Sequence, residues 1–169
     1  MATAVLELPP AFRPMLQIAH ATGVHRKREI WFFDPDHNHH HRTILEGLIG
    51  NRATLQWQGH FGSTFFEVSV LANLFRHAIV GDSHTLAGII MELELRDDLY
   101  KSGIDLLNFF HDCLPEFPVI VISSSQAILG SHPVLRECRP VGVFTWESLR
   151  QEHHRLSFNR LINRMLHHH

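Results

Sequence analysis

Cysteine is scarce and poorly placed for cross-linking. The chain has two, Cys113 and Cys138, each in an apolar helical pattern and neither in a C-x-x-C pair, which argues against a disulfide framework or a zinc site. Long hydrophobic runs are missing too, with no stretch near the roughly 18 apolar residues of a bilayer-spanning helix. The opening "MATAVLELPPAF" has no basic region ahead of an apolar one, so a secretory signal is not expected and a reducing, cytoplasmic setting is. Charge of one sign is also lacking. Lys and Arg number 15 against 17 Asp and Glu, a net −2, so the whole chain has no electrostatic footprint for nucleic acid. Phosphate-cradling G-x-G-x-x-G and G-x-x-x-x-G-K-[ST] loops do not occur. Nor does the G-x-S-x-G elbow that would turn a serine into a hydrolase nucleophile.

What is there describes a soluble domain. With 169 residues, 44% hydrophobic and 19% charged, the chain can bury a real core as one domain. Its 16 histidines make the net charge sensitive to pH near their unperturbed pKa of about 6.5. His167, His168 and His169 resemble a purification-tag remnant and are set aside. Residues 1–27, with several prolines and the basic "VHRKR", read as an N-terminal arm, leaving 28–166 as the domain.

Within 28–166, strand-like and helix-like segments alternate. "REIWFF" is a nearly continuous apolar strand, as expected for one covered on both faces. "DPDHNHHHRTILEGLIGN" follows as a helix with a Gly-Asn stop, and "ATLQW" as a second strand. "GSTFFEVSVLANLF" is a helix with a possible capping box, Thr64 with Glu67. "HAIVGDSHTLAGIIMELELR" holds two strand-like pieces. "GIDLLNFFHDCL" is a helix with Ile104, Leu107, Phe110 and Leu114 on one face, and "FPVIVISS" a strand. "SQAILGSHPVLREC" reads as a broken helix, "PVGVFT" as the last strand, and "WESLRQEHHRLSFNRLINRML" as the last helix. Strands are expected near 29–33, 53–57, 88–94, 118–123 and 141–144. This alternation predicts an α/β fold with a doubly wound parallel sheet. Functional groups then collect at the carboxyl ends of the strands, where Asp34, Asp36, Glu92 or Glu94, Ser123, Ser124 and Thr145 stand.

The order of these motifs resembles a response-regulator receiver domain. "IWFFDPDHNHHHRTILEGLI" is similar to the first strand, acidic loop and first helix. "GIDLLNFFHDCLPEFPVIVISS" is similar to the third helix and fourth strand, and "RECRPVGVFTWESL" to the last strand and the approach to the last helix. The resemblance implies five strands in flavodoxin-like order 2-1-3-4-5 and Mg²⁺-dependent aspartyl phosphorylation. It also implies a strand-three acceptor, a hydroxyl after strand four and a lysine after strand five. Here Asp34 is followed by Pro35, with Asp36 one residue late. The acceptor position falls on Glu92, the hydroxyl on Ser123, and the lysine gives way to Trp146 or a neighbour. A second register makes "HAIVGD" strand three and Asp82 the acceptor.

Each candidate also has a plainer explanation. Asp34 and Asp36 could simply cap the following helix, where a carboxylate meets free N–H groups. Glu92 could be an acidic mimic of a phosphorylated state or a solvated strand-end acid. His37 and His41 stand four apart, but with no third ligand evident the "HNHHH" run is read as a solvated helix start. The expectation is a non-enzymatic, receiver-like signalling module whose pocket of Asp34, Asp36, Glu92, Ser123 and Trp146 is silent. It would have no cofactor beyond weak Mg²⁺ and belong to a bacterial regulator whose C-terminal output domain or partner protein lies outside this sequence. Any nucleic-acid contact would come through that output domain. Homodimerisation is expected through the fourth helix, fifth strand and last helix, with Phe144, Trp146, Phe158 and Ile162 as the apolar contact. The alternatives are a phosphoacceptor receiver using Asp82 with Mg²⁺, and a small-ligand or nucleotide sensor at the strand-end crevice.

Overall fold

A computed structural model describes residues 28–34, 38–58, 86–93, 104, 107–108, 110–112, 115, 117–125 and 133–167. The proposed N-terminal arm, Asp36, the Thr64–Glu67 capping box, Asp82 and Glu94 lie outside them. Five strands are present: β1 (Glu29–Phe33), β2 (Thr54–Gln58), β3 (Leu86–Leu93), β4 (Val119–Ser123) and β5 (Gly142–Thr145). They form one parallel sheet in the order β2-β1-β3-β4-β5. The strand between β1 and β4 is therefore the one that carries Glu92.

β3 is buried at all eight positions, so the sheet's centre has no solvent face. The apparent alternation of "IIMELEL" is misleading, because Glu92 is as buried as its apolar neighbours. Successive side chains go to opposite faces of a strand. Ile30, Phe32, Ala87, Ile90, Ile120, Ile122 and Phe144 pack in one layer. Phe33, Leu86, Ile89, Met91, Val119 and Val121 pack in the other. The second layer is completed by Leu107 and Phe110, each in helical conformation, and by Val134.

Helix α1 (His39–Ile49) begins at Asn38, whose side chain accepts the His40 N–H, and it buries Leu45 and Ile49 at a spacing of four. α2 (Pro133–Cys138) opens on proline, where a missing N–H costs nothing. It is followed by Arg139 in the left-handed region (φ 45) and then Pro140, which ends it. α3 (Glu152–His167) buries Phe158, Ile162 and Met165. Arg52 ties α1 to α3, donating to the Asn159 and Asn163 side chains at 2.6 and 2.7 Å and to the Leu48 and Ile49 carbonyls.

The last helix departs from expectation at three positions. Leu156 is 52% exposed, whereas Phe158 and Ile162, expected at an interface, are fully buried beside Met165. The cause is a break in phase. Residues Ser148–Arg150 form a 3₁₀ turn and Gln151 is extended, so Leu149 does not share a helical register with α3. From Glu152 onward, residues 158, 162 and 165 make one stripe. Leu156, two residues before Phe158, points about 200° away from it. Among the described residues no helix is long and apolar enough to cross a membrane.

Candidate functional site: a closed pocket at the strand ends

The parallel sheet brings its carboxyl ends to one edge, and the chain just beyond them supplies the site. Asp34 follows β1 directly and is completely buried; Glu92, the penultimate residue of β3, is 1% exposed. Glu92 shares the parity of Ile90 and so faces the layer of α1 and α3. Burying carboxylates is costly unless their oxygens find donors, and here they do. Asp34 Oδ2 accepts the Asn38 N–H at 2.7 Å, which ties it to the start of α1. The capping reading of Asp34 thus describes one of its contacts.

Glu92 is held from three sides. Trp146 Nε1–H donates to Oε1 at 2.7 Å, and the Ser124 hydroxyl donates to the same oxygen at 3.2 Å. His41 Nδ1 lies 3.0 Å from Oε2. The His41 ring stacks on the Trp146 indole, centroids 3.9 Å apart and planes 11° from parallel. Phe32 meets the same indole edge-on, centroids 6.1 Å apart. On the far side of His41, Nε2 lies 3.4 Å from Asn38 Nδ2. One imidazole, one indole and two carboxylates thus fill the space where the strand ends converge. Donor atoms of Asp34, His41 and Glu92 all lie within 4.8 Å of one another.

The structure places the expected residues unevenly. Asp34, Glu92 and Trp146 converge. Ser123 is buried on the opposite side-chain parity and accepts the Ser125 N–H at 3.1 Å; the hydroxyl that reaches Glu92 belongs to Ser124. Thr145 exchanges bonds with Ser148 that turn the chain into the 3₁₀ segment: its N–H donates to Ser148 Oγ, and its Oγ1 accepts the Ser148 N–H. Phe144, Trp146, Phe158 and Ile162, expected as an exposed contact, are at most 8% exposed and belong to the core. Phe144 and Phe158 meet edge-to-face at 5.5 Å. Phe158 and Ile162 lie on the buried stripe of α3, and Phe144 and Trp146 join them in the same core cluster. Exposed large apolar side chains near that edge are Val141, Val143 and Leu156.

His41 is not the solvated residue expected of a helix start, since its side chain is only 14% exposed. The sequence held a signal for it: His41, Leu45 and Ile49 are spaced by four, so the core-facing stripe of α1 starts on a histidine.

No protein-family model matches the sequence, and no curated protein matches it. Solved structures do. A response regulator receiver protein from Pseudoalteromonas atlantica superposes with a TM-score of 0.50 at 22% identity, over 80% of this chain and 97% of that one. FixJ-N gives 0.50 at 16% identity, over 83% and 95%. The signal receiver domain of an HD domain-containing protein from Pseudomonas fluorescens Pf-5 gives 0.53 at 13% identity, over 86% and 94%. The fold is that of a receiver domain. Strand order and the acidic strand ends agree with it.

The receiver fold implies Mg²⁺, and the described residues do not suit that ion. Mg²⁺ demands near-octahedral oxygen ligation and keeps several waters. Here the ligand set around Glu92 includes an imidazole, and an indole ring is stacked directly on it.

Proposed function

We propose that this chain is a receiver-like regulatory module that works by protein–protein contact without aspartyl phosphorylation. It would be non-enzymatic, cytoplasmic and part of a bacterial regulator. The observation that carries the reading is the Trp146–Glu92 hydrogen bond, 2.7 Å across the pocket. Through it an uncharged indole N–H stands where the receiver resemblance implies a lysine. A transferred phosphoryl group needs positive charge aimed at its oxygens, and the indole offers one N–H already committed to Glu92.

Glu92 is also an unsuitable acceptor, since both its oxygens are engaged. Incubation with acetyl phosphate and Mg²⁺ should leave the intact mass unchanged. A gain of one phosphoryl group would overturn the reading, and its loss in Asp82→Ala would assign the alternative acceptor. Self-association through β5 and α3 remains part of the proposal, with Val141, Val143 and Leu156 in place of the buried aromatics. A monomer in sedimentation at roughly the micromolar concentrations of transient complexes removes it.

A further inference from the structure

We infer that protonation of His41 releases the N-terminal cap of α1, so that the first turn of this helix responds to pH through the closed pocket. Asn38 sets the tautomer of His41. Its side-chain oxygen accepts the His40 backbone N–H at 3.0 Å, and a backbone N–H can only donate. The amide NH₂ is therefore the group that stands 3.4 Å from His41 Nε2. An NH₂ donates as well, so Nε2 is the unprotonated nitrogen, and Nδ1–H donates to Glu92 Oε2 at 3.0 Å. Neutral His41 satisfies a partner at each end.

A second ring proton has no place in this arrangement. It must go on Nε2, where it meets the Asn38 NH₂ donor to donor. Flipping the amide offers Oδ1 to the ring but turns NH₂ onto the His40 N–H, which exchanges one donor–donor contact for another. Turning the ring away breaks its bond to Glu92 and its stack on Trp146, with centroids 3.9 Å apart. The amide is the less firmly held of the two, because its 3.4 Å contact with His41 is the longest of the set. Once Asn38 moves, α1 loses its side-chain cap, and the first turn carries no acid that could replace it.

Among the described residues, two carboxylates face His41, those of Glu92 on β3 and Asp34 after β1, with ligand atoms within 4.8 Å. The uncharged Trp146 ring is stacked on it, and the His40 ring lies 6.4 Å away. Arg42 Nε is turned to Glu46 Oε1 at 2.7 Å. An imidazolium thus meets opposite charge on the strand side, and the amide on the helix side is what it cannot satisfy. The response rests on the proposed regulatory reading only for its use, and the two fail separately: phosphorylation is read by mass and the cap by NMR.

The test is ¹⁵N NMR of the full chain from about pH 8 to about pH 5, the range in which histidine is the side chain that changes charge. At the upper end the His41 ring should carry its proton on Nδ1 alone. As the ring takes up a second proton, the Asn38 side-chain amide signals should shift. Exchange protection of the His40 amide, corrected for the intrinsic rate at each pH, should fall with the same midpoint by roughly 2–30-fold, the span of a lost cap. His41→Gln should abolish this response. Asn38→Asp should abolish it while keeping the cap, because a carboxylate accepts from both N–H groups at once. His40→Gln should retain the response, read at the backbone amide of the substituted residue. Far-UV circular dichroism establishes that each variant is folded, and the unsubstituted chain alone tests the tautomer and the shared midpoint. A ring protonated on Nε2 alone at the upper pH, a ring that stays neutral throughout, or a cap that persists through the ring's titration each overturns the device. So does a response that survives in His41→Gln or Asn38→Asp, or one that is lost in His40→Gln.

Discussion

Trp146→Phe isolates the hydrogen bond on which the closed pocket depends. Phenylalanine keeps a ring against His41 and Phe32 but deletes the indole N–H, so the Glu92 Oε1 bond at 2.7 Å is lost and the 3.2 Å bond from Ser124 must serve alone. Hydrogen bonds to a charged partner contribute about 1.5–3 kcal/mol, and Glu92 is buried, so little solvent can compensate. For a chain of this size each kcal/mol moves the melting temperature by roughly 2–4 °C, which gives an expected drop of about 3–12 °C. Urea unfolding followed by far-UV circular dichroism measures the free energy without relying on the fluorophore removed. A double-mutant cycle with Glu92→Met, which has no oxygen to accept the indole N–H, then separates the bond from the ring's packing, and a coupling of about 1 kcal/mol is expected. A loss below about 0.5 kcal/mol, or equal losses from Trp146→Phe with Glu92 and with Met at that position, would refute the bond's role.

Two further expectations concern the sheet and the second layer. Gly88 lies inside β3, and a Cβ there would meet the Met165 side chain and come within 3.0 Å of the Pro118 carbonyl oxygen. Met165 can move but the Pro118 backbone cannot, so Gly88→Ala should destabilise by about 1–3 kcal/mol, and a neutral or stabilising result in urea unfolding would contradict the close approach. Burial pushes the Cys138 thiol above its usual range, with the Asp112 and Glu137 carboxylates adding to the effect. Because the folded pKa is raised, any stability from this group is present below the ordinary thiol range and lost as pH rises through the folded value. In a Cys113→Ser background, iodoacetamide should modify Cys138 more slowly than a free thiol and faster in Glu137→Gln; an ordinary rate in the folded chain would contradict it.

The fold is legible in the sequence because its signal lies in strand interiors, while the site is only partly legible because its signal lies in phase. β1, β4 and β5 stand within a residue or so of where apolar runs put them. β3 begins two residues earlier than expected, since Gly88 resembles a boundary and is instead a point of close packing. An alternating pattern points to Glu92 as the end of the central strand, yet β3 is buried throughout. The placement is right for a different physical reason, the continuous burial of a central parallel strand. Errors at the site have a common physical source. Whether His41 or Leu156 faces inward depends on helix rotation, and a single extended residue, Gln151, resets that rotation for α3. Ser124 against Ser123 is the same problem in a strand, where one residue exchanges faces.

The residues that depart from the receiver pattern are not independent of one another. A buried carboxylate at the end of β3 must find donors, because leaving one unsatisfied costs about 1–3 kcal/mol or more. The resemblance implies a lysine for that task, and this chain has none at the end of β5. Glutamate in place of aspartate carries its oxygens one methylene further, and the indole of Trp146 extends from beyond β5 to meet them. His41 and Ser124 complete the coordination of the same two oxygens. A receiver pocket that loses its lysine therefore cannot be left open; the space must be refilled by groups that satisfy the acid, and the refilling determines what the pocket can still bind. Here the group that meets the acid across the pocket is an aromatic N–H with no charge, and the ring stacked on it is an imidazole. In the proposed reading that exchange leaves no positive charge aimed at phosphoryl oxygens. Sequence departures that look like decay, taken one at a time, are mutually compensating in the folded chain.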